Sequence, residues 1–135
     1  MNVPRALGAS VLESEAKPGD VVTVAVRFVH AEGWHSYASV PDDSPYRATS
    51  LALDLPAGWT TVGHWSLPDT VPHAEDGRVQ TVEGDAVFLQ RVRIGAAAPA
   101  GKAAIVVHAA YLVCDAERCL PPAETDLRAE VAVVK

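Results

Sequence analysis

The sequence has very little cysteine and no long hydrophobic run, and these two shortages exclude several classes of protein. Only two of the 135 residues are cysteine, which is too few for the disulfide framework of a small secreted domain. The longest apolar stretch, residues 103–113, is interrupted by His108 and is too short to span a bilayer. We therefore expect no direct membrane insertion of this chain.

Positive charge is also scarce. The 11 Lys and Arg residues are scattered against 17 Asp and Glu, for a formal net charge of −6. Without a basic stripe the chain is a poor candidate for binding nucleic acid or an anionic membrane surface. It also lacks a G-x-S-x-G element and a glycine-rich phosphate loop. Residues 1–5 lack the apolar stretch of a signal peptide, so we expect either a cytosolic protein or an exported one whose leader has been removed.

Apolar residues make up 49% of the chain, enough to build a core at this length. With no internal repeat or linker, residues 1–135 are predicted to form a single domain. Val22, Val24, Val26 and Phe28 alternate with polar or smaller residues, a period of two that is typical of a half-buried strand. Similar alternation is seen at Leu51, Leu53 and Leu55 and at Leu127, Ala129, Val131 and Val133, and residues 59–64, 86–94 and 103–113 are strand-like.

Glycine- and proline-rich turns separate these segments, as at Pro56-Ala57-Gly58 and Pro99-Ala100-Gly101. No amphipathic helix of ten or more residues is visible. The pattern predicts an all-β fold, an immunoglobulin-like β-sandwich of seven to nine strands. The polar stretch 66–80 is predicted to be a long loop over one end of the sandwich, and long loops are often functional.

The two cysteines, Cys114 and Cys119, lie only five positions apart. A bridge between them requires a tight hairpin-like turn over residues 115–118, and Pro121 with Pro122 would keep the following segment extended. So small a loop contributes roughly 2 kcal/mol as a staple, against about 4.7 kcal/mol for a 100-residue loop. Spacing alone leaves two interpretations open, a local loop clip and a thiol–disulfide exchange site.

Charged neighbours favour a difference between the two thiols. Asp115 and Glu117 would raise the pKa of a nearby thiol by like-charge repulsion, whereas Arg118 would lower the pKa of Cys119. We therefore expect Cys119 to be the better stabilised thiolate.

The element Tyr111-x-x-Cys114-x-x-x-x-Cys119-Leu120-Pro121-Pro122, late in an all-β chain, resembles the N-terminal periplasmic domain of the DsbD family of thiol:disulfide interchange proteins. Three upstream segments are similar to the same family, and with them the resemblance covers residues 16–134. They are the aromatic segment 33–37, the strand and turn 49–58, and the cap loop with its following strand, 72–94.

The resemblance implies an immunoglobulin-like sandwich with a redox-active cysteine pair and no other cofactor. It implies a periplasmic protein-disulfide reductase, fed by a thioredoxin-like domain and a membrane electron carrier. The acceptors implied are other thioredoxin-fold proteins, such as disulfide isomerases and cytochrome c maturation factors. By position, Cys119 would form the mixed disulfide with partners and Cys114 would resolve it.

The cap-loop stretch 71–79 contains no Phe, Tyr or Trp, although the family's best-studied members shield the pair with an aromatic residue there. Shielding would then come from His73, from Trp65 or from neither. Trp34, Tyr37, Trp59 and Trp65 are most simply core or edge aromatics. For Trp34 and Tyr37 an alternative is an apolar wall beside the disulfide.

The five histidines show no metal-ligand spacing, so we expect no metal site. His35 or His73 could exchange a proton with a thiol. The functional alternatives are a redox domain, with Tyr111, Arg118, Trp34, Tyr37, His73 and Pro121 supporting the cysteines, and an immunoglobulin-like binding module with a structural loop disulfide. A third alternative is a metal chaperone that binds copper or zinc through the reduced pair.

Overall fold

This structure, a computed structural model, describes residues 5–135, and over them the chain forms eleven β-strands. Residues 1–4, which belong to the segment without a signal-peptide pattern, lie outside the described residues. The strands are β1 (Ala6–Val11), β2 (Glu15–Ala16), β3 (Val21–Val29), β4 (His35–Ser39), β5 (Ser50–Asp54), β6 (Thr60–Ser66), β7 (Val71–Pro72), β8 (Gln80–Glu83), β9 (Asp85–Arg93), β10 (Gly101–Tyr111) and β11 (Ala123–Val133). Nowhere in the described range is there a helix with the length and apolar character needed to cross a membrane.

Two four-stranded sheets form the sandwich. One has the strand order β1-β3-β9-β6 and the other the order β2-β11-β10-β5. Neighbouring strands are antiparallel except β2 and β11, which pair in parallel. The all-β, immunoglobulin-like fold predicted from the sequence is therefore confirmed.

The core lies between these sheets, and the alternating residues of the longest strands build it. Val22, Val24, Val26 and Phe28 of β3 are at most 1% exposed, as their period of two predicts. Val131 and Val133 of β11 face the same core from the other sheet, and Leu127 packs against it. Because both faces contribute to one apolar cluster, hydrophobic burial holds the two sheets together.

A third, smaller sheet with the order β4-β8-β7 lies beside the sandwich and carries the cysteine region. Strand β4 pairs with β8, and β8 runs into β9 through a turn at Gly84, whose φ is +69°. That backbone region favours glycine because it has no Cβ to clash. The turn therefore ties the small sheet directly to a central strand of the sandwich.

The described range contains more strands than the seven to nine predicted, and stretch 66–80 is not a simple loop. Residues Val71–Pro72 form β7 inside it and pair with β8. Sequence patterns missed β7 because two residues are too few to show a period. Pro72 is tolerated because β7 is the outer strand of its sheet. Strands β1, β2, β4 and β8 were also not assigned as strands from the sequence.

Candidate functional site

The two cysteines are joined in a disulfide across a tight turn after β10. Cys114 and Cys119 have Cα atoms 4.0 Å apart and form an isolated antiparallel bridge. Between them, the backbone N–H of Asp115 donates to the carbonyl of Arg118 at 2.8 Å. The predicted hairpin-like turn over residues 115–118 is thus confirmed.

The Asp115 side chain fixes this turn. Its Oδ1 accepts hydrogen bonds from the backbone N–H groups of Glu117 and Arg118, both at 2.8 Å. This is the usual way in which Asp stabilises a turn. The same two bonds lower the pKa of the Asp115 carboxyl, because they favour its ionised form.

Strand β4 holds the first cysteine in place through the backbone. The N–H of His35 donates to the Cys114 carbonyl at 2.9 Å, and the Cys114 N–H donates to the His35 carbonyl at 3.0 Å. On the other side of the turn, the Leu120 N–H donates to the Val113 carbonyl at 3.0 Å. The disulfide is therefore attached both to β4 of the small sheet and to the end of β10.

The two cysteines differ sharply in burial. Cys114 is 2% exposed and belongs to a small apolar cluster with Tyr37, Val79 and Leu112, whereas Cys119 is exposed to solvent. A thiolate is disfavoured in apolar surroundings and is reactive where it is accessible. The surroundings therefore make Cys119 the accessible member of the pair.

The disulfide forms part of the wall of an open cleft of about 570 Å³. The turn 114–119 lies along it, with residues from β4, from the β4–β5 connection and from the cap-loop segment 71–75. The titratable side chains along the cleft are His35, Tyr37, Tyr46, His73, Glu75, Glu83, Asp115, Glu117 and Arg118.

Aromatic and imidazole rings form a continuous series along the cleft. His35 Nε2 lies 3.0 Å from the Tyr37 hydroxyl, and Tyr37 stacks on Tyr46 with ring centroids 4.7 Å apart. His73 lies 5.2 Å from the Tyr46 ring and 6.2 Å from that of His35. Burial raises the pKa of Tyr37 to about 12, with a further contribution from Tyr46.

The Arg118 guanidinium does not stand alone beside Cys119. Its Cζ lies 5.7 Å from the centroid of the Trp34 ring, a cation–π arrangement. Its Nε lies 3.9 Å from Asp115 Oδ2. The positive charge next to Cys119 is therefore shared with Asp115 and directed towards Trp34.

The other residues singled out from the sequence lie at different distances from the cleft. Tyr111 packs edge-on against Phe28 at the end of β10, with centroids 5.2 Å apart, and it does not line the cleft. Pro121 is exposed just before β11. Trp65, one of the two residues considered for shielding, donates to the Leu51 carbonyl and packs against the main core. His73 does line the cleft.

Sequence reasoning missed Tyr46. This residue follows a turn-rich segment that gives no sign of its proximity to the cysteines, yet it stacks on Tyr37 and lines the cleft. An aromatic ring therefore lies near the disulfide, but the β4–β5 connection supplies it and the cap loop does not. The backbone pairing between His35 and Cys114 was likewise invisible, because only the packing of β4 against the turn creates it.

Among residues 5–135, no group of three or more His, Cys, Asp or Glu side chains is placed to hold a metal ion. The reactive covalent group at the site is the Cys114–Cys119 disulfide.

Comparison with known proteins agrees with this geometry. Residues 8–130 match the family model described as thiol:disulfide interchange protein DsbD, N-terminal. No curated protein sequence matches the chain. The reduced N-terminal domain of DsbD from Neisseria meningitidis has a similar fold, with 18% identity, a TM-score of 0.50 and coverage of 93% of this chain and 83% of that one.

Cohesin domains share the fold as well. The sixth cohesin of scaffoldin B from Acetivibrio cellulolyticus, solved with a Cel5 dockerin, gives a TM-score of 0.55 at 16% identity, covering 96% of this chain and 99% of that one. Fold similarity at this identity does not separate the two groups, but the family match and the close-spaced disulfide do. The chain belongs to the family of the N-terminal domain of DsbD, whose chemistry is thiol–disulfide interchange.

Proposed function

We propose that residues 1–135 act as one extracytoplasmic, periplasmic exchange domain, a protein-disulfide reductase unit. In this proposal the Cys114–Cys119 pair takes reducing equivalents from a thioredoxin-like domain linked to a membrane electron carrier. It passes them to other thioredoxin-fold proteins. The observation that carries the proposal is the asymmetry of the pair, since both cysteines line one cleft but Cys119 is exposed and Cys114 is buried.

Reduction of the domain begins at the accessible sulfur. A donor thiolate attacks Cys119 Sγ, a donor–Cys119 disulfide forms, and the electron pair of the broken S–S bond leaves on Cys114 Sγ. The donor's second thiolate then attacks the donor sulfur of that mixed disulfide and releases Cys119 as a thiolate. Two electrons have moved, so the donor leaves as a disulfide and the domain holds two thiols.

Delivery follows the same route in reverse. The Cys119 thiolate attacks an acceptor disulfide, and Cys114 then attacks Cys119 Sγ, which restores the disulfide and releases the reduced acceptor. Cys114 is suited to this second step because β4 holds its backbone and the turn keeps the two Cα atoms 4.0 Å apart. Its attack is therefore intramolecular and well oriented.

The supporting residues have separate roles in this proposal. Asp115 fixes the turn, and Arg118 adds positive charge beside Cys119 against the Trp34 ring. Tyr37 packs with Cys114 in the small apolar cluster, and His73 lines the cleft. Tyr111 and Pro121 lie at the two ends of the segment that contains the cysteines. Tyr111 packs against Phe28, and Pro121 keeps the chain extended before β11.

A trapping experiment tests the assignment of the two cysteines. The acceptor is a thioredoxin-fold protein with a single active-site cysteine, loaded with 2-nitro-5-thiobenzoate. The Cys114→Ser variant should release the coloured thiolate and accumulate a stable Cys119–acceptor disulfide. Cys119→Ser, whose remaining thiol is buried, should react roughly tenfold or more slowly. Equal rates for the two variants, or faster trapping by Cys119→Ser, would contradict the assignment.

A redox titration separates the exchange domain from a binding module with a loop clip. Catalytic disulfides have potentials of about −270 to −120 mV, whereas structural ones lie below about −300 mV. We expect the Cys114–Cys119 pair to fall in the first range. A value below −300 mV, together with no reduction by a thioredoxin-like donor, would favour the structural role.

A further inference from the structure

Two histidines stand beside the cysteine pair, and the exchange steps described above use neither of them. His35 begins β4 and is paired through its backbone with Cys114. His73 follows β7 in the cap loop. Their rings lie 6.2 Å apart, and both line the cleft that Cys114 and Cys119 also line. We call these two residues the histidine pair.

The hydrogen bonds of His73 determine which of its nitrogens carries the proton. The backbone N–H of Glu75 donates to His73 Nδ1 at 3.1 Å. A backbone N–H can only donate, so Nδ1 accepts and the neutral ring carries its hydrogen on Nε2. Within residues 5–135 no side chain or carbonyl is bonded to that Nε2–H, which therefore remains available to a ligand in the cleft.

The fixed charges along the cleft are predominantly negative. Four carboxylates, those of Glu75, Glu83, Asp115 and Glu117, face a single guanidinium, that of Arg118. With both imidazoles neutral the lining therefore has a net charge of −3, and protonating both reduces it to −1. Negative charge disfavours a thiolate, so the protonation state of the histidine pair changes the electrostatic potential at the cysteines.

We propose that the histidine pair tunes the reactivity of the reduced cysteines, and so couples thiol–disulfide exchange to the proton concentration outside the cytoplasm. The proposal rests on the exchange function proposed above. In delivery to an acceptor, His35 and His73 act through their charge. An imidazolium near the cleft stabilises the Cys119 thiolate that attacks an acceptor.

The same pair can complete the proton balance of reduction. When a donor thiolate attacks Cys119, the electron pair leaves on Cys114, whose sulfur lies in the apolar cluster with Tyr37, Val79 and Leu112. A thiolate is costly there, so the sulfur takes a proton. An imidazolium of the pair gives up that proton and becomes neutral imidazole. Cys114 becomes a thiol, and the imidazole is protonated again from solvent.

Charged groups on every neighbouring element act on the pair. His35 faces Glu83 of β8, Asp115 of the turn, His73 of the cap loop and the buried His30. Burial first, and then the charge of His73, lower the pKa of His35, while Glu83 and Asp115 oppose this.

His73 faces Tyr46 and the neighbouring carboxylates Glu75 and Asp76. Histidine ordinarily changes charge between pH 5 and 8, and the lowered pKa of His35 moves its contribution towards the acidic end of that range.

The test measures alkylation of Cys119 in the reduced full chain from pH 5 to 9, with the modified peptide quantified by mass spectrometry. One unit of thiol pKa changes the thiolate fraction tenfold, and the accompanying loss of nucleophilicity reduces the gain in rate to about threefold. If loss of the His73 imidazolium raises the thiol pKa of Cys119 by about one unit, His73→Gln should react about threefold more slowly than the wild type at pH 5.5. The double variant His35→Gln/His73→Gln should be slower still, by less than a further threefold, because burial lowers the pKa of His35 and so reduces its positive charge at this pH. Above pH 8.5, beyond the range in which histidine ordinarily changes charge, the three alkylation rates should agree.

Two further variants distinguish charge from shape. His64 is exposed on β6 and does not line the cleft, so His64→Gln should reproduce the wild-type profile. His73→Lys keeps a positive charge at all these pH values. Its Cys119 should therefore be alkylated at least as fast as that of the wild type, at pH 8.5 as well as at pH 5.5.

Superimposable profiles for the wild type and the double variant would overturn the proposal, and so would a slow His73→Lys at both pH values. Failure of the exchange function has a different signature. In that case no variant, the wild type included, would have its disulfide reduced by a thioredoxin-like donor at any pH.

Discussion

At the scale of single residues, the surroundings of each cysteine determine what it can do. Cys114 is covered by Tyr37 and Leu112, whereas Cys119 follows the exposed Arg118 at the end of the turn. Asp115 has a dual effect, since its carboxylate brings negative charge near the sulfurs and also accepts the two hydrogen bonds that shape the turn. A residue expected only to repel a thiolate is therefore also part of what positions it.

His30 illustrates how burial controls a titration. It is 4% exposed and stacks on Phe28 with ring centroids 4.1 Å apart. Its Nδ1 donates to the Gly84 carbonyl at 2.9 Å, so its Nε2 accepts from the Ser36 hydroxyl at 2.8 Å. Burial is the main cause that lowers the pKa of His30. The folded state thus keeps this ring neutral at a pH where the unfolded chain is protonated.

This shift predicts a loss of stability in mild acid. Because the folded-state pKa is below the unfolded value of about 6.5, the unfolded state binds the extra proton and the free energy of unfolding falls as pH drops below about 6.5. The contribution at pH 5.5 is at most about 1.4 kcal/mol, the limit for a ring that stays neutral when folded. Urea unfolding of the wild type and of His30→Gln at pH 5.5 and 7.5 measures it.

The glutamine variant serves as the control because its amide can replace one donor and one acceptor but does not titrate. We expect it to lose less stability than the wild type between the two pH values. His35, whose pKa is also lowered, and His108, whose pKa the Asp126 carboxylate raises, are present in both proteins. Their effects therefore cancel in the comparison, and parallel pH dependences would show that His30 is not responsible.

At the scale of elements, the small sheet β4-β8-β7 connects the site to the core. Strand β4 pairs with Cys114 on one side and with β8 on the other. The turn after β8 then leads into β9, a central strand of the sandwich. Strand pairing therefore connects the cysteine turn to the core of the sandwich, although residues 116–119 of the turn are exposed.

The turn between β8 and β9 gives a test of this connection. Gly84 has a φ of +69°, and its carbonyl accepts from both the backbone N–H and the Nδ1–H of His30. Gly84→Ala should lower the free energy of unfolding by about 1–2 kcal/mol, because a Cβ is strained in that backbone region. Urea denaturation measures the change.

Gly77 is the matched control for Gly84. It lies in the cap loop without a positive φ, and a Cβ added there meets nothing within 4 Å. Gly77→Ala should be neutral or slightly stabilising. A loss of the same size at both positions would show that the backbone conformation of Gly84 is not the cause.

At the scale of the whole molecule, the sandwich is built without the disulfide. The main apolar cluster joins residues of β3 and β9 to residues of β10 and β11, and neither cysteine belongs to it. The disulfide closes only a short local loop, which limits its effect on the unfolded chain to about 2 kcal/mol. A domain that cycles between disulfide and dithiol must keep its fold in both states, and this architecture allows it.

Removal of both sulfurs should therefore leave the fold intact. We expect Cys114→Ser/Cys119→Ser to keep the far-UV circular dichroism spectrum of the wild type, with the free energy of unfolding lower by about 2 kcal/mol. Wild-type protein kept reduced with excess dithiol should behave in the same way. Unfolding of either sample at 25 °C would show that the disulfide is a structural staple.

Much of the fold was predictable because long strands repeat the same local rule many times. The alternation in Val22–Phe28 and in Leu127–Val133 reports which face is buried, since successive side chains on a strand point to opposite sides. Short strands such as β2 and β7 contain too few residues for any period. Their pairing depends on partners that are distant in the chain.

The sequence by itself determined the all-β sandwich, the family and the cysteine pair, because alternation, turn residues and the Cys-x4-Cys-Leu-Pro-Pro element are all local patterns. Only the tertiary structure decided that Cys114 is buried and Cys119 exposed, and that His35, Tyr46 and His73 meet at one cleft. The physical reason is that burial and electrostatic surroundings depend on which distant segments pack together. That information exists only once β4, the cap loop and the turn after β10 have been brought side by side.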